Sequence, residues 1–208
     1  MTDRENHWAG VYKERSPDRV SWYQAAPAQS IKLIRHAVSE DARIIDVGGG
    51  ASTLADHLLD AGYSRLTVLD IAAPALVAAR QRLGPRAKDV NWITADVTDW
   101  SPTAKFNLWH DRAVFHFLTD AEDRRAYVRT LRAALAPDGH LIVATFALDG
   151  PETCSGLPVA RYNADRLSAE LGQPFVLMEE QREDHLTPGG TTQSFGYYRY
   201  RIESTADC

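Results

Sequence analysis

Cysteine is scarce in this sequence, whose 208 residues include only Cys154 and Cys208. Two thiols are too few for a disulfide framework, and their separation is not that of a metal-binding pair. The histidines offer no pair at metal-binding spacing either. We therefore expect a protein of a reducing compartment that holds no metal ion.

Long apolar runs and an excess of basic charge are also missing. No stretch approaches the roughly 18 consecutive apolar residues of a membrane span, and the opening MTDRENHWAG has no apolar core of signal-peptide length. The formal net charge of -5 argues against the strong basic field with which proteins hold nucleic acids. These absences predict a cytoplasmic protein with neither a membrane nor a nucleic-acid partner.

What the sequence does contain is an alternation of strand-like and helix-like segments. The strand-like runs are ARIIDV, RLTVLDI, VNWITADV, FNLWHD and GHLIVATF, and amphipathic stretches such as STLADHLLDAG and APALVAARQRLG separate them. Strands that alternate with helices predict βαβ units and a parallel, doubly wound α/β sheet. We divide the chain into an N-terminal helical segment, residues 1–40, and a main domain, residues 41–208.

The pattern changes after Phe146. A Gly- and Pro-rich segment of loop character is followed by a helix around Asn163–Leu171. Two strand-like runs, PFVLMEEQRED and TTQSFGYYRYRI, then flank the turn-forming LTPGG. This pair predicts a C-terminal antiparallel hairpin.

The segment RIIDVGGGAS places three glycines between a strand ending at Val47 and a helix starting near Ser52. Bare backbone and a helix N-terminus would then meet at the carboxyl edge of the sheet, where α/β folds bind ligands. The next strand ends in Asp70, roughly 20 residues further on, where an acid can accept hydrogen bonds from both ribose hydroxyls. The two features together predict a nucleoside-containing cofactor.

The residues around the glycines distinguish two kinds of cofactor. A dinucleotide site favours a third glycine, but Ala51 and Ser52 occupy the positions where it would fall. Asp46, which opens the motif, would repel a phosphate and could bind an ammonium group. The pattern therefore favours a cationic cofactor without phosphate.

The ordered motifs DVGGGAS, LDIA, ADVTDW, FNLWHDRAVFHFL and LAPDGHLIVATF resemble those of class I S-adenosylmethionine-dependent methyltransferases. The resemblance covers about residues 42–146, with Ser52 in place of the third family glycine. It implies a Rossmann-like, mostly parallel seven-stranded sheet and S-adenosyl-L-methionine as cofactor. The HW-x-x-VY pattern near the N-terminus and the helix-plus-hairpin tail are loosely similar to the branch that holds protein lysine methyltransferases.

The resemblance also implies roles for individual residues at the carboxyl edge. The methionine end of the cofactor would lie at Asp46 and Gly48, the ribose at Asp70, and the sulfonium and acceptor near Asp111. The other implied cofactor contacts are Gly50, where backbone approaches the ligand, Ile71 against the adenine, and Asp96 with Val97 beside the exocyclic amine.

Methyl transfer needs mainly alignment and the removal of water, with a base only if the acceptor arrives protonated. The candidate catalytic residues are Asp111, His110 and His116. Each has a plain structural alternative. Asp111 could form a local ion pair with Arg112, and either histidine could be a packed, hydrogen-bonded core residue.

Aromatic residues are concentrated before the first strand, at Trp8, Tyr12, Trp22 and Tyr23. Aromatic surface of this size should be buried against something. One hypothesis is a lid over the cofactor and acceptor, which makes Trp8, Tyr12 and Tyr23 candidate cofactor contacts. The alternative is a helix that only packs on the edge of the domain.

The sequence also bears on the methyl acceptor. An Asn-Pro-Pro-Tyr-like run is absent from the fourth strand, which argues against amino-group methylation of bases or glutamine. Aromatic residues around the expected pocket suit an apolar or soft nucleophile. We expect a small-molecule acceptor first and a protein lysine second, and a non-catalytic protein that only binds the cofactor stays open as an alternative.

Overall fold

A computed structural model describes residues 2–203, so Cys208 lies outside the described residues. The helices are α1 (Asp3–Glu14), α2 (Ala28–Ala37), α3 (Leu54–Asp60), α4 (Ala73–Leu83), α5 (Ala121–Ala134) and α6 (Ala164–Leu171). The strands are β1 (Ile44–Val47), β2 (Leu66–Asp70), β3 (Val90–Thr94), β4 (Phe106–Arg112), β5 (Leu135–Phe146), β6 (Thr153–Cys154), β7 (Leu157–Pro158), β8 (Phe175–Leu186) and β9 (Thr192–Ile202). Short 3₁₀ turns cover Pro17–Arg19, Gly84–Asp89 and Phe115–Phe117.

Seven of these strands form one sheet in the order β3-β2-β1-β4-β5-β9-β8. The first five strands run parallel, whereas β9 is antiparallel to β5 and to β8. This arrangement confirms the predicted Rossmann-like sheet and its terminal hairpin. The strand order reverses between β1 and β4, which is where an open α/β sheet leaves a crevice for a ligand.

The core lies on both faces of the sheet. Every residue of β1 and β2 is buried, as expected for parallel strands covered by helices on both sides. One face packs around Trp109 and Tyr127, and the other around Leu33 and Leu58. Leu33 belongs to α2, so this helix is part of the core, although it precedes residue 41.

Helix α1 is placed differently from α2, because none of its residues is fully buried. It lies against α4, above the carboxyl ends of the strands. No helix within residues 2–203 is long and apolar enough to cross a membrane. The same residues contain no cluster of three or more His, Cys, Asp or Glu side chains that could hold a metal ion.

Most predicted boundaries agree with the structure, and the exceptions have local causes. Helix α3 begins at Leu54, two residues later than predicted, and the Ser52 hydroxyl accepts the Leu54 N–H at 3.1 Å. Residues 137–139 form an irregular part of β5. There Asp138 has a φ of 59°, and the pairing with β4 shifts register.

Candidate functional site

A cavity with about 820 Å³ of empty space, part of it open to solvent, lies at the carboxyl ends of β1, β2 and β4 and beneath α1. A second cavity, with about 530 Å³ of such space, adjoins it, and both are lined by Tyr12, Trp22, Gly48 and Arg112. The two cavities therefore form a single candidate site at the switch point of the sheet.

The structure brings most of the predicted site residues to these two cavities. The large cavity is lined by Trp8, Tyr12, Gly48, Asp70, Ile71, Asp96, Val97 and His116, and the small cavity by Tyr12, Tyr23, Asp46, Gly48 and His110. Gly50 and Asp111 line neither cavity.

The glycine bend after β1 is shaped to bring backbone close to polar groups. Gly48 and Gly50 have positive φ values of 66° and 42°. A Cβ at Gly50 would stand 2.7 Å from Asp70 Oδ2 and 3.0 Å from the Tyr12 hydroxyl. A Cβ at Gly49 would overlap the carboxylate of Asp46. Glycine is needed here because any side chain would fill the space beside the two acids.

Asp70 ends β2 with a buried carboxyl group that accepts the Ala72 N–H at 2.7 Å. Burial raises the pKa of Asp70 to about 7, and the charge of Asp46 adds to the increase. The backbone hydrogen bonds from Ala72 and Gly50 act in the opposite direction. Asp70 is therefore close to half ionised near neutral pH in this state.

Asp96, at the adenine end predicted from the sequence, is tied to the N-terminal helix. Its carboxylate accepts hydrogen bonds from Thr98 N at 2.9 Å and from Arg4 Nη1 at 2.9 Å. Arg4 Nη2 also binds Asp123, on α5, at 2.5 Å. Arg4 thus connects α1 to the loop after β3 and to α5.

Aromatic rings of the N-terminal segment cover the cavity. The Trp8 ring lies edge-on to Phe117 at 4.8 Å and to Trp22 at 5.8 Å between ring centroids. Tyr12 lies near Asp70, and burial, followed by the charge of that acid, raises the pKa of the Tyr12 hydroxyl. The segment therefore contacts both the glycine bend and Phe117 in the cavity wall.

His110 and Asp111 are both engaged within the protein. His110 Nδ1 lies 2.7 Å from Asp46 Oδ1, and Nε2 lies 2.9 Å from the Ser30 hydroxyl. The Asp111 carboxylate accepts the Tyr127 hydroxyl at 2.6 Å and two backbone N–H groups of the following turn. Burial raises the pKa of Asp111 to about 6, against the effect of the Tyr127 hydrogen bond.

His116 lies in the wall of the large cavity beside Phe117 and Phe146. Burial, followed by the charge of Arg112, lowers the pKa of His116 to about 3, so the ring is neutral near pH 7. Its Nδ1 accepts the Phe146 N–H at 3.3 Å, which leaves the proton on Nε2. Nε2 has no hydrogen-bond partner among residues 2–203.

Arg112 is a site residue that the sequence pattern did not identify. Its guanidinium group donates to the Tyr197 hydroxyl at 2.8 Å and to the Trp22 carbonyl at 2.9 Å, and it lies 4.5 Å from the Phe195 ring centre. The only signal in the sequence was its position at the end of a strand that carries candidate residues. Arg112 joins the N-terminal segment to the hairpin side of the cavity.

Comparison with known proteins identifies the group to which this architecture belongs. A family model described as a methyltransferase domain matches residues 45–141. Nodulation protein S of Bradyrhizobium diazoefficiens is 30% identical over 147 residues, which cover 68% of this chain and 69% of that protein. The chain belongs to the class I S-adenosylmethionine-dependent methyltransferase family. Three further proteins named Nodulation protein S match over 44 to 51% of their lengths.

Solved structures of methyltransferases share the fold. The N-methyltransferase NodS from Bradyrhizobium japonicum WM9, in complex with S-adenosylhomocysteine, has a TM-score of 0.71 at 19% identity and covers 96% of this chain and 100% of its own. The 1,6-didemethyltoxoflavin-N1-methyltransferase from Burkholderia thailandensis has a TM-score of 0.77 at 19% identity, with 97% and 88% covered. At this identity, the likeness concerns the fold.

The cofactor of this methyltransferase is S-adenosylmethionine, and the residues at the glycine bend suit it. Asp46 and Asp70 are buried acids close enough for the charge of one to affect the pKa of the other. Two acids beside bare backbone favour a ligand with cationic groups and a ribose over one with a pyrophosphate. The observed geometry therefore fits the cofactor of the family.

Proposed function

We propose that this methyltransferase transfers the methyl group to a small-molecule nucleophile by in-line displacement. The observation that supports the proposal is the aromatic end of the large cavity. Trp8, Trp22, Phe117, Phe146 and Phe195 line it, and α1 covers it. These five rings, which we call the aromatic box, suit a compact, largely apolar acceptor.

We propose that the cofactor lies across the two cavities. Asp46 and Gly48 would hold its methionine end, and Gly50 would let the backbone approach. Asp70 would accept hydrogen bonds from the ribose. The adenine would lie at the remaining predicted contacts, Ile71, Asp96 and Val97. Trp8, Tyr12 and Tyr23 would cover the cofactor from the N-terminal segment, residues 1–40, above the main domain, residues 41–208.

The protein's part in the reaction is alignment and the exclusion of water. Bound S-adenosylmethionine supplies a methyl group on a sulfonium, which is already a good donor. The aromatic rings would hold the acceptor in line with that group and keep water out, which can supply most of the rate acceleration. Trp8 on α1 makes edge-on contacts with Trp22 and with Phe117 of the turn after β4, so this wall is preorganised.

The arrangement of the candidate catalytic residues favours an acceptor that needs no base. Both ring nitrogens of His110 are engaged, and the Asp111 carboxylate faces the following turn and Tyr127. His116 presents a protonated Nε2, so we propose that it donates a hydrogen bond to the acceptor and does not remove a proton. A soft or already deprotonated nucleophile meets these conditions.

Protein lysine is the second candidate, and the walls of the cavity disfavour it. A lysine ammonium must lose a proton before it can accept a methyl group. Among the described residues in the large cavity wall, Asp70 and Asp96 carry the only carboxylates, and both lie at the end where we place the adenosine. A non-catalytic protein that only binds the cofactor would not need the aromatic box at all.

The experiment uses methyl-labelled S-adenosylmethionine with two fractions of a host lysate, the low-molecular-mass ultrafiltrate and the retained macromolecules. We expect label to enter solvent-extractable or volatile products from the ultrafiltrate alone. The Asp70→Ala variant, which should bind the cofactor poorly, is the matched control for adventitious transfer. Label confined to a retained protein band would instead favour lysine methylation, and cofactor binding without transfer in either fraction would favour the non-catalytic alternative.

A further inference from the structure

A buried chain of three polar side chains lies behind the glycine bend. Asp46 on β1 and His110 on β4 are directly paired in the parallel register, so their side chains share one face of the sheet. His110 Nδ1 and Asp46 Oδ1 are 2.7 Å apart, and His110 Nε2 and Ser30 Oγ are 2.9 Å apart. The exposed fractions of Asp46, His110 and Ser30 are 6%, 2% and 0%. All three side chains line the small cavity, so this chain joins α2, β4 and β1 along the cavity wall.

The proton positions in this chain follow from the donors and acceptors available. An ionised Asp46 can only accept, so His110 Nδ1 donates to Asp46 Oδ1. Ser30 can donate its hydroxyl proton to a neutral His110 or accept from a protonated one. In either form the ring keeps its Nδ1–H directed at the carboxylate. A hydrogen bond to an ionised acceptor is stronger than a neutral one, so it fixes the carboxylate orientation.

The second oxygen of Asp46 is left for a ligand. Asp46 Oδ2 receives no hydrogen bond from the described residues and lies beside Gly49, where a Cβ would overlap it. The Asp46 side chain keeps 9% of its surface exposed and lines the small cavity. His110 thus holds one oxygen, and the other lies beside the bare backbone of Gly49.

We propose that His110, supported by Ser30, is a positioning residue that orients Asp46 to receive the ammonium group of the cofactor's methionine end. The inference rests on the placement of that end at Asp46 in the proposed function. A carboxylate whose rotamer is fixed in advance loses less conformational entropy on binding, and this preorganisation raises affinity. The contribution is confined to ligands that carry the ammonium group.

Two adenosine ligands separate the role of His110 from a general structural role. S-adenosylhomocysteine carries the amino-acid end, whereas 5′-methylthioadenosine has the same adenosine thioether without it. The His110→Phe variant keeps a ring in the core but loses the Nδ1–H donor. The His110→Asn variant restores an N–H donor at about the Nδ1 position. Dissociation constants of both ligands are measured by calorimetry, and thermal unfolding reports on the fold of each variant.

We expect His110→Phe to weaken S-adenosylhomocysteine binding about tenfold, with 5′-methylthioadenosine affinity changed less than about twofold. His110→Asn should recover most of the loss, and Ser30→Ala should show a smaller loss, also confined to S-adenosylhomocysteine. Equal losses for both ligands in His110→Phe, or no loss for either, would overturn the proposal.

The Asp46→Asn variant keeps a failure of this inference distinct from a failure of the proposed placement. If Asp46→Asn weakens only S-adenosylhomocysteine while His110→Phe does not, the placement is correct and His110 has no positioning role. If Asp46→Asn affects both ligands equally, or neither, the methionine end does not lie at Asp46, and the inference is overturned together with the placement.

Discussion

Replacing Asp70 by asparagine should remove most of the pH dependence of adenosine binding. Burial raises the pKa of the Asp70 carboxyl to about 7, so its charge changes within the range of ordinary buffers. In the placement that we propose, the ionised carboxylate is the form that would accept hydrogen bonds from both ribose hydroxyls. Affinity should therefore fall as the pH falls through the pKa of Asp70. An asparagine has no such transition.

The size of the effect follows from the ionised fraction. At about pH 8.5 nearly all of the Asp70 carboxyl is ionised, and at about pH 5.5 only about 3% is, for a pKa of about 7. If only the carboxylate binds ribose, the apparent dissociation constant rises about 30-fold between these conditions, or about 2 kcal/mol. The Asp70→Asn variant should change by less than about threefold over the same range.

The assay is calorimetric titration with 5′-methylthioadenosine, which has no amino-acid group to titrate in this range. The wild-type affinity divided by that of Asp70→Asn, taken at each pH, cancels the histidines common to both proteins. A ratio that does not change with pH would refute the assignment of the raised pKa, or of the ribose contact, to Asp70.

The same raised pKa has a consequence for stability. A native pKa of about 7, against an ordinary value of 3.8, means that the folded protein binds a proton between these values that the unfolded chain does not. The contribution of Asp70 to the free energy of unfolding is therefore largest below about pH 4 and is lost as the pH rises through about 7. Urea unfolding at several pH values should show that the free energy of unfolding falls more steeply with rising pH in the wild type than in Asp70→Asn.

Three further predictions concern other residues of the site. Arg4→Ala should accelerate amide exchange in residues 3–14 up to about fivefold, or ~1 kcal/mol, because the hydrogen bonds from α1 to Asp96 and Asp123 are lost. As a control, substitution of the exposed Arg15 by alanine should leave the exchange unchanged. The ring resonances of His116 should not titrate between about pH 8 and about pH 5, since its pKa is about 3; a midpoint near 6.5 would contradict its burial. Asp111→Asn should lower the free energy of unfolding by about 1–3 kcal/mol with cofactor affinity retained. A parallel loss of affinity would show that Asp111 binds the ligand.

The sequence predicted the local chemistry of the glycine bend. The motif predicted bare backbone after β1, where Gly48 and Gly50 have positive φ, and an acid at the end of the neighbouring strand, where Asp70 lies. These features depend on steric and hydrogen-bonding needs that act within a few residues. The order of strands and helices was equally readable, because each element carries its own hydrophobic period.

Contacts between distant segments were not readable in this way. The pairing of Asp46 with His110 depends on β1 lying next to β4, and Arg4 reaches Asp96 across 92 positions. The surroundings of Asp111 depend on a Tyr127 hydroxyl from α5 and on a turn in which Ala113 has a φ of 74°. A single sequence shows which of these residues carry charge, but not which partners the fold gives them.

The large cavity is assembled from the central segment of the chain and from both of its terminal segments. The side where we place the adenosine comes from the loops after β1, β2 and β3. The aromatic end combines Phe117 and Phe146 of the central segment with rings from both terminal segments, Trp8 and Trp22 before β1 and Phe195 on β9. A gene that keeps the central segment and varies its two ends would keep the same methyl donor while it samples new acceptors. Grafting both terminal segments of a relative onto this central segment should therefore change acceptor choice more than grafting either segment alone.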